Sequence, residues 1–487
     1  VSGERADIVL VSLNRERLPS PVIPIGLACV GTALLRAGHR VRVVDLAMCG
    51  ETYGHREAAR LVSGLSPDLV GLSMRNLDNV SWPDSIGYLP EIRGFIESLQ
   101  EQTAARLFIG GSGFTVCPEP SLDYLGLDLG LSGEGEISTV RLVEEVLLGG
   151  GSAAAIPGAV YRGPGGMIRR VPAEIAAAPP GGEEDGRPGY VSLAARDLFD
   201  IRRYLEAGAS FNIQTKRGCP LHCTYCVYPL LEGRQFRLRS PASVVDEMEQ
   251  AMGRWGAERF TFVDNIFNLP LQHAKDVCRE MVKRKLDIKW ETYLHPLAVD
   301  EELLGLMIDS GVLGLEFTPD SGSAAMLESY GKDIAVEHLA GVSALCRRMG
   351  LPFCFNFIFG GPGETWETVD ETFALADRLD PTAVLAALAM RILPGTDLQR
   401  RAIAEGVIGT ADDLLFPTHY ISPALRDGFE EGILERVSKR PNWIVPGLGV
   451  NYSPQLFELA RRFDREGAHW RHVKRLRSSH RRPMTGR

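Results

Sequence analysis

Over the first 147 residues, short apolar runs alternate with stretches of helical periodicity. Asp7–Leu13 contains the run Ile8, Val9, Leu10, Val11 and is predicted to be a strand. A helix follows over Ile25–Ala37, stopped by Gly38. Next come a strand at Arg42–Asp45, a helix near Arg56–Ser63 and a strand at Asp68–Ser73. A longer helix, Gly87–Gln102, leads to the strand Arg106–Gly110, then the strand Asp128–Ser132 and a closing helix over Ile137–Leu148. Strands alternating with helices predict a parallel, doubly wound, Rossmann-like sheet. Sheets of this kind take ligands in the crevice at the carboxyl ends of their strands.

The texture then changes. Gly149–Ala154 is small and glycine-rich, and Ile156–Val171 reads as a hairpin turning at Gly163–Gly166. Pro179–Pro188, rich in Pro, Gly and acid, reads as an exposed linker. A second alternating series begins near Ser210, with strands at Phe211–Thr215, Arg259–Val263, Ile288–Tyr293, Leu313–Phe317, Pro352–Ile358 and Val384–Ile392. Helices lie between them, including Ala242–Trp255 and Gln272–Arg284. Six strand–helix units predict a partial (β/α)6 barrel, open on one side. The α/β chain therefore divides into a doubly wound domain (1–148), a linker with hairpin (149–204), a partial barrel (205–395) and a mostly helical cap (396–487). No repeat of 20–50 residues is found.

Composition narrows the class. A net charge of −9 and a pI near 5.7 argue against a nucleic-acid partner. The tail His472–Arg487 is locally basic (Lys474, Arg475, Arg477, Arg481, Arg482) and reads as a solvated end. No run of 18 apolar residues or signal core occurs, so no membrane partner is expected. Nine cysteines without a secretory signal point to a reducing cytoplasm.

Three of those cysteines carry chemistry. Cys219, Cys223 and Cys226 form a C-x3-C-x2-C loop directly after a predicted strand, in Lys216-Arg-Gly-Cys-Pro-Leu-His-Cys-Thr-Tyr-Cys226. Iron–sulfur clusters are held by thiolates, normally four for four irons. Three thiolates leave one iron open to another molecule. Zinc is the competing reading, but a structural zinc site needs four ligands, and only His222 adds to the three. Cys29, Cys49, Cys117, Cys278, Cys346 and Cys354 sit in helical, strand or loop patterns and read as small buried hydrophobes.

The loop resembles the signature of the radical S-adenosylmethionine (SAM) superfamily, and the resemblance extends over residues 205–395. It implies a [4Fe–4S] cluster on Cys219, Cys223 and Cys226. It also implies a SAM site, with Tyr225 near the adenine and Asp264 and Asn265 at the methionyl amino group. Glu316 and Asp320 are the ribose candidates, and Gly360, Gly361 and Gly363, in Phe357-Ile-Phe-Gly-Gly-Pro-Gly-Glu-Thr365, lie beside the adenine. The implied chemistry is reductive. An electron from a flavodoxin- or ferredoxin-type donor breaks the sulfonium–carbon bond, giving methionine and a 5′-deoxyadenosyl radical.

The first domain resembles a cobalamin-binding module. Gly71-Leu-Ser73 closes its third strand and Gly110-Gly-Ser-Gly113 its fourth. The residues this implies at cobalamin are Ser73, Arg75, Asn76, Gly110, Gly111, Ser112, Gly113, Gly133 and Glu134. The family's lower-ligand histidine is missing, since the loop Asn14–Gly26 has none. Asp45-Leu-Ala-Met-Cys-Gly50 only superficially copies that motif, with Ala47 in the histidine's place and after the wrong strand. An empty Rossmann-like crevice is the alternative.

The missing histidine, with Ser73–Asn79, Gly133–Glu136 and Arg391–Thr396, makes the chain similar to cobalamin-dependent radical SAM enzymes. Methylases of natural-product pathways, such as the tryptophan and phosphinate methylases, are the nearest in pattern. The similarity implies methyl transfer from SAM through cobalamin to a small-molecule substrate. The competing expectations are a non-methylating radical dehydratase, epimerase or cyclase with an empty cobalamin domain, and a non-catalytic sensor. Tyr228, His295 and His419 are weak catalytic candidates near strand ends or in the cap.

Overall fold

The computed structural model describes residues 5–49, 54–175, 193–453, 455–456 and 469–473. The linker Pro179–Pro188 and all but the start of the basic tail lie outside them. Seven strands form the first sheet: β1 (Asp7–Ser12), β2 (Arg40–Asp45), β3 (Leu69–Ser73), β4 (Arg106–Gly110), β5 (Leu129–Leu131), β6 (Ala159–Arg162) and β7 (Ile168–Arg170). Their order is β2-β1-β3-β4-β5-β6-β7. The first five are parallel, in the 2-1-3-4-5 arrangement whose strand order reverses between β1 and β3. The expected hairpin at 156–171 forms, but it is not separate from this sheet. Strand β6 pairs antiparallel with β5, and β7 with β6.

The barrel begins at β8 (Phe211–Ile213). Two short strands, β9 (Lys216–Arg217) and β10 (Arg237–Leu238), pair antiparallel and brace the two ends of the cysteine loop. Then come β11 (Arg259–Phe262), β12 (Lys289–Leu294), β13 (Leu315–Asp320), β14 (Phe353–Phe359) and β15 (Ala383–Leu388). These strands, with β8, make a parallel open sheet with helices between them, as the pattern predicts. Strand β14 (Phe-Cys-Phe-Asn-Phe-Ile-Phe) is nearly all apolar and largely buried, as a parallel strand covered on both faces should be. The cap adds to this frame. Its β16 (Met390–Arg391) and β17 (His419–Tyr420) pair antiparallel, and β18 (Trp443–Ile444) joins the barrel beside β15. Helices Asp397–Ala404 and Phe429–Ser438 lie among them.

One apolar core joins the two sheets. It runs from Ile8, Leu10 and Leu27 through Ala195, Phe199 and Tyr204 to Phe211 and Val244. The segment 193–206 thus works as mortar between the domains. Polar groups add further ties. The Tyr204 hydroxyl donates to Asp45 at 2.6 Å, and Asn212 donates to the Ile23 carbonyl at 2.7 Å. Arg391 reaches across to Asp78 at 2.7 Å, with both side chains almost fully buried. Its guanidinium also donates to the carbonyls of Ile392 and Leu414.

The glycine loop after β14 is held by Glu364, which accepts from the backbone N–H groups of Gly360 and Gly361. Burial outweighs these bonds and pushes the Glu364 carboxyl up to about 8.

Two predictions follow from these buried charges. Replacing Arg391 with Met leaves Asp78 buried and uncompensated, and should cost about 3–5 kcal/mol. A lowered denaturant midpoint, partly restored by adding Asp78→Leu, is expected; an unmoved midpoint would contradict it. Glu364 keeps its proton in the folded chain up to about pH 8, whereas the unfolded chain loses it near 4.5. Stability should therefore fall as pH rises through that window. Thermal unfolding of Glu364→Gln should show a flatter decline, and an unchanged slope would refute the assignment.

Candidate functional site

The three cysteines follow β8 and β9 at the carboxyl ends of the barrel strands, and all are unpaired thiols. Gly218 precedes them at φ +88°, where a Cβ would meet the Gln235 carbonyl oxygen at 2.1 Å, so only glycine fits. The N–H groups of Leu221 and Tyr228 bond to the sulfurs of Cys219 and Cys226. Burial raises all three thiols, Cys226 to about 12. Among the described residues, no three His, Cys, Asp or Glu side chains form a site for a single metal ion. Three soft thiols spread over a short loop suit a cubane, which takes each sulfur on a different iron.

The root of this loop is fixed by buried charge. Asp264 accepts from the N–H groups of Thr215 at 2.7 Å and Lys216 at 3.2 Å, and from Lys216 Nζ at 2.9 Å. Its carboxylate anchors the root of the loop, and Asn265 follows it at the same strand end. Asn265 donates to Glu232 at 2.8 Å, and Glu232 also accepts from Gly218 N–H at 3.1 Å. Burial raises the Glu232 carboxyl. Sequence reasoning missed Glu232, although it stands four residues after Tyr228 on the same short helix, Tyr228–Glu232.

The two ribose candidates, Glu316 and Asp320, stand at different levels of one strand. Both lie on β13, four residues and so roughly 13 Å apart. Glu316 accepts from Trp470 Nε1 at 2.7 Å, and Trp470 packs beside Gly314 near the start of the strand. Burial and then the nearby Glu291 raise Glu316 to about 7. Asp320 is at the carboxyl end, at φ +69°, after a register shift between Phe317 and Asp320. Pro319, which has no N–H to give the ladder, explains the irregularity. The shift turns Asp320 towards the cysteine loop, where the Tyr225 hydroxyl donates to it at 2.5 Å and Lys332 pairs with it.

Gly360, Gly361 and Gly363 follow β14. A Cβ on Gly361 would lie 2.2 Å from the Tyr330 ring, so the loop packs face-on against that side chain. Among the weak candidates, His295 is buried in the turn after β12, where Nδ1 accepts from Leu297 N–H and burial lowers it to about 4. His419 lies beside Arg391 and Asp78. Both have structural surroundings. Tyr228 differs: it lies near Tyr293 and near Arg75 of the first sheet, and the two rings are 49% and 45% exposed, so both border the space between the barrel mouth and that sheet.

Across that space lie the strand ends of the first sheet. Leu13, Asn14, Met74, Arg75, Asn76 and Tyr88 are among the residues lining a cavity of about 230 Å³ at the β1/β3 reversal, with no histidine among them. Gly111 and Gly113 let the loop after β4 touch the loop after β3. A Cβ would meet Met74 O at 2.5 Å and the Asn76 backbone at 2.8 Å. Gly110 is looser, 3.3 Å from Leu131 O, and the Ser112 hydroxyl donates to the Arg75 carbonyl at 2.7 Å. Burial lowers Arg75, which faces Tyr228, Tyr204 and Tyr88. Gly133, at φ +90°, donates its N–H to Thr115 Oγ1. Glu134, expected at the corrin, is instead bound by Arg237 at 2.8 Å and approached by Arg217 at 3.5 Å. Arg217 also pairs with Glu136 at 2.6 Å.

Comparisons with known proteins agree with this layout. The family model of the radical SAM superfamily matches residues 213–376, and that of the B12 binding domain matches residues 4–143. The tryptophan 2-C-methyltransferase of Streptomyces laurentii is 29% identical over 78% of this chain and 72% of its own length. The cytidylyl-2-hydroxyethylphosphonate methyltransferase of Streptomyces wedmorensis is 25% identical over 93% and 88%. Among solved structures, the radical SAM methyltransferase TsrM from Kitasatospora setae, with cobalamin and a [4Fe–4S] cluster bound, superposes with a TM-score of 0.82. It is 25% identical and covers 97% of this chain and 98% of its own. The cobalamin-dependent radical enzyme OxsB shares the fold, with a TM-score of 0.68 at 19% identity over 86% of this chain and 64% of its own. With the cysteine loop on one side of that space and the glycine-lined crevice on the other, the chain is an enzyme in which a radical SAM domain over residues 213–376 follows an N-terminal B12 binding domain over residues 4–143.

Proposed function

We propose that this enzyme is a cobalamin-dependent methyltransferase acting on a small precursor of a natural product. One observation carries the reading. Glu134 and Glu136, at the end of the cobalamin-type sheet, are bound to Arg217 and Arg237, which flank the three-cysteine loop. A loop suited to a cluster and a crevice suited to a corrin are thereby fixed about one space, an arrangement that serves a shared substrate. The curated relatives named above as methyltransferases support the same reading.

Cys219, Cys223 and Cys226 would hold the cluster and leave one iron for SAM. Tyr225, Asn265, Asp320, Gly360, Gly361 and Gly363 would border SAM. Ser73, Arg75, Asn76, Gly110–Gly113 and Gly133 would border cobalamin. When bound, these groups supply the methyl donor and the one-electron chemistry, with the electron from an external flavodoxin- or ferredoxin-type protein. The chain's own residues orient and enclose. Asp264 and Lys216 keep the loop root rigid, and the Tyr225–Asp320 bond fixes one wall. Tyr228 and Tyr293 offer rings and hydroxyls to a substrate. The cavity lining contains no histidine, so it would offer no imidazole to a cobalamin held there.

Anaerobic reconstitution of the full chain with iron, sulfide, SAM and cobalamin tests the reading. Retained cobalamin and the appearance of S-adenosylhomocysteine together with 5′-deoxyadenosine are expected. Replacing the three cysteines with alanine should remove the brown chromophore and all deoxyadenosine. Deoxyadenosine without S-adenosylhomocysteine would point instead to a non-methylating radical enzyme.

A further inference from the structure

The loop that follows β13 returns to the cysteine loop and places a cation against it. Thr224 donates its N–H to the Tyr330 carbonyl at 3.0 Å. Gly331, at φ +68°, lies where a Cβ would meet the His222 carbonyl oxygen at 2.5 Å. Glycine is needed for this approach, and it seats the next residue, Lys332, beside the loop. The Lys332 side chain is only 4% exposed. Its ammonium pairs with Asp320, donates to the Thr318 carbonyl at 3.1 Å and stands 5.8 Å over the Tyr225 ring. It also hydrogen-bonds the Cys223 sulfur, and its charge acts on Cys219 and Cys226 as well. Arg234 acts on Cys219 as well, whereas Lys332 acts on all three.

We infer that Lys332 is a positioning residue for the cluster, a fixed cation that makes the reduced state easier to reach. The inference rests on the reading of the three cysteines as cluster ligands. Reduction moves one electron from the external donor to the cluster and adds one negative charge, with no atom transferred. A nearby buried ammonium stabilises that added charge, because a low-dielectric surrounding screens it poorly. Asp320 opposes the effect with its own charge, and the Tyr225 hydroxyl holds that carboxylate in place. The two residues therefore act with opposite signs. Removing the ammonium leaves the cluster facing Asp320 and harder to reduce. Removing the carboxylate's charge leaves the ammonium unopposed and the cluster easier to reduce.

An EPR-monitored redox titration of the reconstituted full chain tests this in wild type, Lys332→Met, Lys332→Arg and Asp320→Asn. Lys332→Met should lower the reduction equilibrium constant at least tenfold, about 59 mV for a one-electron couple. Lys332→Arg should stay close to wild type, and Asp320→Asn should shift the other way. Iron content and the wild-type signal show separately whether a cluster is held. A wild-type chain without one would remove the functional reading itself. Cluster-replete variants with unmoved midpoints would overturn the role of Lys332. So would shifts of the same sign, or loss of the cluster from both Lys332→Met and Asp320→Asn, since each would make the lysine a structural part only.

Discussion

The contact between Glu134 and Glu136, just beyond β5 of the first sheet, and Arg217 and Arg237, on the β9/β10 ribbon that braces the cysteine loop, governs the rest of the molecule. All four side chains are largely withdrawn from water, the arginines 12% and 9% exposed. Desolvated charges of this kind contribute little net stability when paired, yet separating them is costly. The pairing thus acts as a specificity device. It selects one orientation of the first sheet against the barrel, and apolar packing through Phe199 and Tyr204 then fills the seam. Arg391 and Asp78 form a second such clamp, contributed by the cap.

That orientation has a chemical consequence. Both sheets are parallel, and parallel sheets expose their loops and functional groups at the carboxyl ends of the strands. Arg217 lies two residues before Cys219, and Glu134 stands just beyond the end of β5. The two strand-end faces are therefore joined at a single seam, with the half-exposed rings of Tyr228 and Tyr293 at the barrel mouth beside it. Each loop is also locked at its own base, by Asp264 in the barrel and by the close-packed glycines Gly111 and Gly113 in the crevice. Rigid surroundings of this type hold reactive groups in position without reorganisation during the reaction.

Much of this was legible in the residues. Apolar runs such as Ile8–Val11 and Phe353–Phe359 report burial on both faces, so the parallel strands could be read to within a few positions. The cysteine spacing is a local signal and pointed directly to its chemistry. Pairing between distant residues was not legible. Nothing near Glu134 announces Arg237, 103 residues later, and its place beside Gly133 in a strand-end loop suggested a ligand contact instead. Glu316 and Asp320 were indistinguishable as ribose candidates because both stand in one motif. Strand geometry separates them, and Trp470 claims Glu316 from the far end of the chain. Lys332 had no motif at all, since its position depends on how closely Gly331 approaches His222.

The central claim is that the charge pairs at the seam hold a cluster site and a corrin site next to one another. EPR of the full chain, loaded with a reduced cluster and paramagnetic cob(II)alamin, reads that arrangement directly. Mutual broadening of the two signals is expected, diminished when Arg217 and Arg237 are both changed to Gln. Two independent signals in the unaltered protein, or broadening indifferent to those changes, would contradict the account.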